Sequence, residues 1–266
     1  MIPKKIHYCW FGGTPLPESA RKCIESWRRH CPDYEIIEWN ESNIDISSVD
    51  YMREAYEERA WGFVPDVARL QIILNNGGIY LDTDVEVIKP LDSLLSDAAF
   101  VGIENNEPYI VNLGQGFGAE KGSPFLQELL NDYKDRHFRN ADGSINKTAS
   151  PVVQDGIMRR LGFNGRNETQ QIRGAVIYSA EYFCPKSFVT GLVKITDATL
   201  SIHHYDGSWL SDKERKYLKC RERIFQSFGP KAGKIIWNVY RFIYKLRTVG
   251  IRNTLILIGN RLKKQG

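Results

Sequence analysis

The stretch PDVARLQIILNNGGIYLDTDVEVIKPL, residues 65–91, holds a helix, its stop signal, a buried strand and an acidic turn in direct succession. Asp66–Asn75 carries the apolar spacing of a helix, with Pro65 in its first turn and Asn76-Gly77-Gly78 ending it. Ile79-Tyr80-Leu81 reads as a short strand buried on both faces. The chain then delivers Asp82-Thr83-Asp84 where that strand leaves its sheet, and Val85–Ile88 alternates again before Pro90. A helix feeding straight into a buried strand is the grammar of an α/β sheet.

The flanking sequence repeats that grammar. Upstream, Lys5–Trp10 is an aromatic-rich strand ending in Gly12-Gly13 and a Pro15/Pro17 turn. Glu18–His30 is a helix closed by Pro32, and Tyr34–Trp39 is a second strand. Such a strand–helix–strand opening commonly begins a nucleotide-binding sheet. Tyr51–Arg59 is a charged helix. Downstream, Ala99–Ile103, Tyr109–Asn112, Gln115–Ala119 and Thr199–His204 read as strands, Pro124–His137 and Pro151–Leu161 as helices, and Asn140–Ala149 as a polar loop.

Charge divides the chain. The 266 residues carry a formal +4, yet residues 213–266 hold 15 Lys/Arg against 2 Asp/Glu, and residues 1–212 hold 21 against 30. We therefore expect an acidic α/β domain over 1–212 and a basic tail over 213–266. In the tail, Lys234–Arg247 and Ile251–Lys264 have helical spacing with apolar faces and basic edges. Ile235, Ile236, Trp237, Tyr240, Phe242, Ile243 and Tyr244 give the first of these a broad apolar side. That pattern suits an anionic membrane surface better than nucleic acid.

With 42% hydrophobic and 26% charged residues the composition is that of a globular protein, neither disordered nor fibrous. Five cysteines, Cys9, Cys23, Cys31, Cys184 and Cys220, lack zinc-site spacing and read as reduced thiols. No run approaches the ~18 apolar residues of a membrane span, and the N-terminus lacks a secretory signal. The expected location is cytoplasmic, peripheral on the inner face of the cell membrane if the tail docks there.

Four constellations can carry chemistry. Asp82 and Asp84, at the mouth of a buried strand, repel each other unless a hard cation or donors compensate them; alone, the pair could equally be a solvated turn. Asp66 and Arg69 share one helix face, as a local ion pair or as a donor–acceptor pair aimed at sugar hydroxyls. Trp10 beside Gly12-Gly13 is either core or a stacking platform for a nucleobase. The run HHYDGSW, His203 to Trp209, groups possible metal and phosphate ligands around Gly207.

The stretch from Pro65 to Leu91 resembles the DXD core of glycosyltransferase family 32. IPKKIHYCWFGG at the start and HHYDGSW near residue 209 are similar to that family's two other landmarks, in the expected order. The resemblance implies a GT-A fold, with a nucleotide-binding sheet, flanking helices and a smaller acceptor half. By the resemblance, Trp10 would stack on the base beside Phe11 and Gly12, and Tyr80 would join the nucleotide site. Asp66 and Arg69 would hold the donor sugar, and Asp82 ribose or sugar. Asp84, with Asp82, would bind Mn²⁺ or Mg²⁺, with His204, or its neighbour His203, as a further ligand; Ser208 and Trp209 would donate to phosphate. The implied activity is retaining transfer of a hexose or N-acetylhexosamine from a nucleotide sugar, UDP-linked in preference to GDP-mannose. The acceptor would be a glycan of capsule or lipopolysaccharide synthesis, lipid-linked if the tail docks. A transferase acting on protein, a non-catalytic membrane adaptor and a haloacid-dehalogenase-type phosphatase are the competing readings; Glu86 stands where the last wants Thr or Val.

Overall fold

The computed structural model describes residues 1–207 and 210–250. The chain divides into two compact units: Met1–Phe188 with Val193–Leu210, and Val189–Leu192 with the chain from Ser211 onward.

The first unit is built on a seven-stranded sheet. Its strands are β1 (Lys5–Cys9), β2 (Glu35–Trp39), β3 (Gly78–Tyr80), β5 (Ala99–Gly102), β6 (Phe117–Ala119), β7 (Gln170–Ile172) and β8 (Ala175–Tyr178), in spatial order β2-β1-β3-β6-β5-β8-β7. β1 is parallel to β2 and to β3, whereas β6 runs antiparallel to both β3 and β5. Direction thus reverses between β3 and β6, and β6 runs against both of its neighbours. A separate two-stranded sheet pairs β4 (Val85–Val87) with β9 (Ser201–His203). Between β3 and β4 the chain leaves one sheet and enters the other. Asp82-Thr83-Asp84 is that junction.

Each face of the main sheet is buried, and residues alternate between two cores. Tyr80 packs with Val67, Ala68, Leu70 and Ile73 of α3 (Pro65–Asn76). Its neighbours Ile79 and Leu81 pack with Ile24 and Trp27 of α1 (Glu18–His30). Apolar residues are therefore required at consecutive positions of β3, as in parallel sheets covered on both sides. Gly77 and Gly78, at φ +67° and +111°, make the abrupt helix-to-strand turn that L side chains resist. α1 also fixes β4: the Trp27 indole donates to the Val85 carbonyl at 2.7 Å, and the Val87 amide donates to Ser26 Oγ at 2.9 Å.

Some expectations need correction. Tyr109–Asn112 is not a strand; it keeps one bridge, Ile103 to Val111, and then forms a 3₁₀ turn at Leu113–Gln115. The helix from Pro124 ends at Asn131, six residues early. β7 and β8 were not expected. Arg173-Gly174, both at positive φ, make the hairpin turn between them, and β8 pairs in parallel with β5. α2 (Asp50–Glu57) and α5 (Ser150–Leu161) lie where the sequence puts helices.

The second unit is an αα-hairpin. α6 (Asp212–Val249) breaks at Gly229 (φ +72°, ψ 177°), and Pro230 restarts it. Glycine after one helix and proline at the start of the next is the preferred asymmetry. Ser211 and Glu214 form a capping box at its N-terminus. Tyr217 on the first arm packs on Trp237 and Tyr244 of the second, ring centroids 4.8 Å apart in both cases. The apolar side expected of the tail therefore parts into two: Trp237 is buried, whereas Ile235, Phe242 and Ile243 stay exposed. The expected helix at 251–264 lies outside the described residues.

Candidate active site

The acidic turn is rigid at its first carboxylate. The Asp82 amide donates to the Gly114 carbonyl at 3.0 Å, and the Val85 amide donates back to the Asp82 carbonyl at 3.1 Å. A Cβ on Gly114 would stand 2.2 Å from Asp82 Oδ2, so only glycine leaves room for this carboxylate. Asp84 is held by the Asp206 amide, which donates to Oδ2 at 2.9 Å, and by His203, whose Nε2 lies 3.3 Å from Oδ1.

Asp82, Asp84 and His203 each offer one ligand atom, all within 4.8 Å of one another, a group able to hold a metal ion. β9 supplies the histidine. It pairs His203 opposite Val85 and Ile202 opposite Glu86. With a side-chain period of two, His203 turns to the carboxylates and His204 turns away. The His204 ring is bonded to Glu86 Oε2 at 2.9 Å. Of the adjacent pair, then, the ring of His203 meets the two carboxylates, whereas His204 reaches the turn only by its amide, which donates to the Asp84 carbonyl at 2.9 Å.

Behind the turn lies a buried polar network. Arg69, 3% exposed, places Nη2 2.5 Å from Asp66 Oδ1 and 2.6 Å from Ser150 Oγ, with Nη1 3.7 Å from Asp82 Oδ1. The Tyr51 hydroxyl donates to Asp66 Oδ2 at 3.4 Å. Tyr80, wholly buried, lies beneath the guanidinium, its ring centroid 6.0 Å away. The ion pair on α3 and the link to the acidic turn are one structure.

Its electrostatics follow from burial against pairing. Burial pushes the Asp66 carboxyl up to about 6, although Arg69 opposes it. Asp82 is also raised by burial, against Arg69, and by its neighbour Asp84. Asp84 goes the other way: burial alone would raise it, but His203 and the Asp206 amide outweigh that and hold it below the carboxylate range. His203 is raised well above an ordinary histidine because Asp84 overcomes the cost of burying its charge. The site thus sets Arg69 and His203 against its acids.

The first-strand residues are brought to the same end of the sheet, with different roles. Trp10 is half-buried, and its indole donates to the Thr14 carbonyl at 2.5 Å. Phe11 is only 4% exposed and packs in the core, so the nucleotide role expected of it does not extend to its side chain. The Gly12 amide donates to Glu41 Oε1 at 2.5 Å, and a Cβ there would stand 2.7 Å from the Trp61 ring. Ser208 and Trp209 lie outside the described residues. Sequence reasoning missed Ser150, Tyr51, Gly114 and Trp61. None of these sits in a local pattern, and each is recruited from a distant segment.

Comparison with known proteins agrees with the region that decides the fold. Residues 17–101 match the glycosyltransferase sugar-binding region containing a DXD motif. The chain is 31% identical over 155 residues to inositol phosphoceramide mannosyltransferase 1 of Schizosaccharomyces pombe, covering 52% of this chain and 45% of that protein. It is 34% identical over 143 residues to inositol phosphoceramide mannosyltransferase 3 of the same yeast, covering 48% and 36%. The chain therefore spans less than half the length of these relatives. Among solved structures, the PaToxG glycosyltransferase is similar over 60% of this chain and 69% of its own, at 19% identity and a TM-score of 0.48.

Proposed function

We propose that this chain, whose residues 17–101 match the glycosyltransferase sugar-binding region containing a DXD motif, moves a sugar from a nucleotide donor to a glycan acceptor. One observation carries the reading: Arg69 is fixed between Asp66 and Asp82, immediately behind a turn whose carboxylates meet His203. A buried guanidinium so held cannot drift, and it presents pre-oriented donors and charge at the mouth of β3.

The residues present fit a divalent cation. Asp82, Asp84 and His203 would hold it; two carboxylates and one imidazole suit Mn²⁺ at least as well as Mg²⁺. Such an ion supplies charge neutralisation for a leaving diphosphate. The chain's own part is to bind and orient. Asp66 and Asp82 accept from sugar or ribose hydroxyls, Arg69 opposes the effect of burial on both carboxyls, and Trp10 offers its half-buried ring to a base. In the transfer, the bond from the anomeric carbon to the diphosphate oxygen breaks and one to the acceptor oxygen forms. The acceptor's proton leaves with the diphosphate or solvent. The sugar passes through an oxocarbenium-like state. The step proposed is front-side attack by the acceptor hydroxyl, with retention of configuration.

Within this reading the donor is a UDP-hexose or UDP-N-acetylhexosamine before GDP-mannose, and the acceptor a surface polysaccharide or its precursor. The test is donor hydrolysis and transfer by purified protein across UDP- and GDP-sugars, with Mn²⁺, Mg²⁺ or chelator. The anomeric configuration of the product is then read by NMR. Metal-dependent turnover of at least one donor is expected. Absence of both binding and turnover for every donor would overturn the reading.

A further inference from the structure

The second arm of the helical hairpin, residues 230–249, has two apolar faces, and among the described residues only one has a partner within its unit. Toward the first arm it presents Gly233, Trp237, Tyr240 and Tyr244. Gly233 lies so close to Phe225 that a Cβ would stand 2.9 Å from that ring, and Trp237 is 8% exposed. At roughly 100° per residue, Ile235, Val239, Phe242 and Leu246 fall on the opposite side of the same helix. Leu246 is half-buried, but the other three are left exposed. Ile235 is 68% exposed, Val239 55% and Phe242 44%, with Ile243 beside them at 42%. Lys231, Lys234 and Arg241 run along one edge of that face.

We infer that this face seats the protein on an anionic lipid surface, lying in the interface and not crossing it. Charge selects the occupant. Every charged residue from Arg223 to the end of the chain is basic. A second copy of the same face would bring like charges together, which disfavours self-association. Nucleic acid offers no apolar layer for an aliphatic stripe. An anionic bilayer offers both phosphate charge and an acyl boundary, matching the two components of the face. No helix among the described residues is long and apolar enough to span a membrane, so the arm would lie on the surface.

The test uses the full chain and co-sedimentation with two kinds of vesicle: phosphatidylcholine alone, and phosphatidylcholine with one quarter phosphatidylglycerol. The expected result is partitioning onto the anionic vesicles, weakened by salt, and little onto the neutral ones. The pair Ile235→Ser and Phe242→Ser changes exposed residues only and should reduce binding about tenfold or more. A milder variant, Phe242→Leu, should keep most of it. The triple Lys231→Gln, Lys234→Gln, Arg241→Gln should flatten the salt dependence. Unchanged circular dichroism and melting would show that each variant is folded. The inference fails if the full chain stays in solution with both vesicles, or if the serine pair binds as well as the parent. It fails equally if sedimentation velocity reveals a dimer that the serine pair dissociates, since a second copy would then own the face.

Discussion

The guanidinium of Arg69 lies 3.7 Å from the first carboxylate of the acidic turn, Asp82. That relationship ties a helix face to a strand end across the point where the sheet reverses direction. It also makes Arg69 answerable for both stability and binding, because the same group neutralises Asp66 at 2.5 Å.

Removing Arg69 should therefore cost twice. Arg69→Ala leaves Asp66 buried beside Asp82 with no countercharge, and breaking such a pair costs about 3–5 kcal/mol. Urea unfolding should show that loss, together with loss of nucleotide-sugar binding. Ser150→Ala removes one hydrogen bond of this network and should cost only about 1 kcal/mol. Equal stability of Arg69→Ala and the parent would mean that the network is not what holds α3 to the turn.

The two adjacent histidines should behave differently. His203→Ala takes an imidazole from the carboxylates and should abolish the metal dependence of nucleotide binding. His204→Ala loses a half-exposed pairing with Glu86, in the class worth about 0–1 kcal/mol, and should leave that dependence intact. Asp84→Asn should follow His203→Ala, and because it also takes the countercharge from the buried His203 ring it should lower fold stability. Titrating Mn²⁺ against each variant, with nucleotide binding followed calorimetrically, separates the pair. The reverse order of effects would falsify the assignment of His203.

Trp10 is half-buried, so its substitution distinguishes stacking from packing. Trp10→Ala should weaken nucleotide binding by about 1–3 kcal/mol, the range of base–aromatic stacking, and Trp10→Phe should recover part of it. Melting should fall modestly. A large drop in melting temperature with unchanged nucleotide affinity would make Trp10 a packing residue.

How much of this was legible in the sequence depends on distance along the chain. The helix, glycine stop, strand and acidic turn from Pro65 to Leu91 are local, and each is set by spacing and turn chemistry that a sequence displays. The choice between His203 and His204 is not local: it depends on the register of β9 against β4, which no feature of either strand announces. β8 was missed because AVIY is too short to separate from loop without its partner β5. Ser150 looks like an ordinary residue before a proline until α5 is seen to deliver it to Arg69. The break at Gly229-Pro230 and the Ser211–Glu214 cap, by contrast, are local, each set by two residues of the tail.

His7 lies within the opening stretch IPKKIHYCWFGG, where the resemblance gives it no role. It is fully buried on β1, where its Nε2 lies 3.0 Å from the Gly77 carbonyl and its Nδ1 accepts from the Trp39 indole at 3.0 Å. An indole can only donate, so Nδ1 carries no proton and Nε2–H donates to Gly77. The ring is neutral with both nitrogens used, and it joins β2 to the glycine turn that feeds the acidic site. Burial, opposed in part by the Gly77 bond, lowers its pKa to about 4. An unfolded histidine titrates near ~6.5, so between that value and about 4 the unfolded chain binds a proton that the fold refuses. The stability His7 contributes is present above the unfolded pKa and is lost as pH falls through this window. From pH 7 to pH 5 the loss is about 2 kcal/mol. Urea unfolding of the parent and of His7→Gln at both pH values isolates this part from the carboxylates, which the two proteins share. The parent should lose about 2 kcal/mol more than the variant on acidification, and equal losses would show that His7 is protonated within the fold.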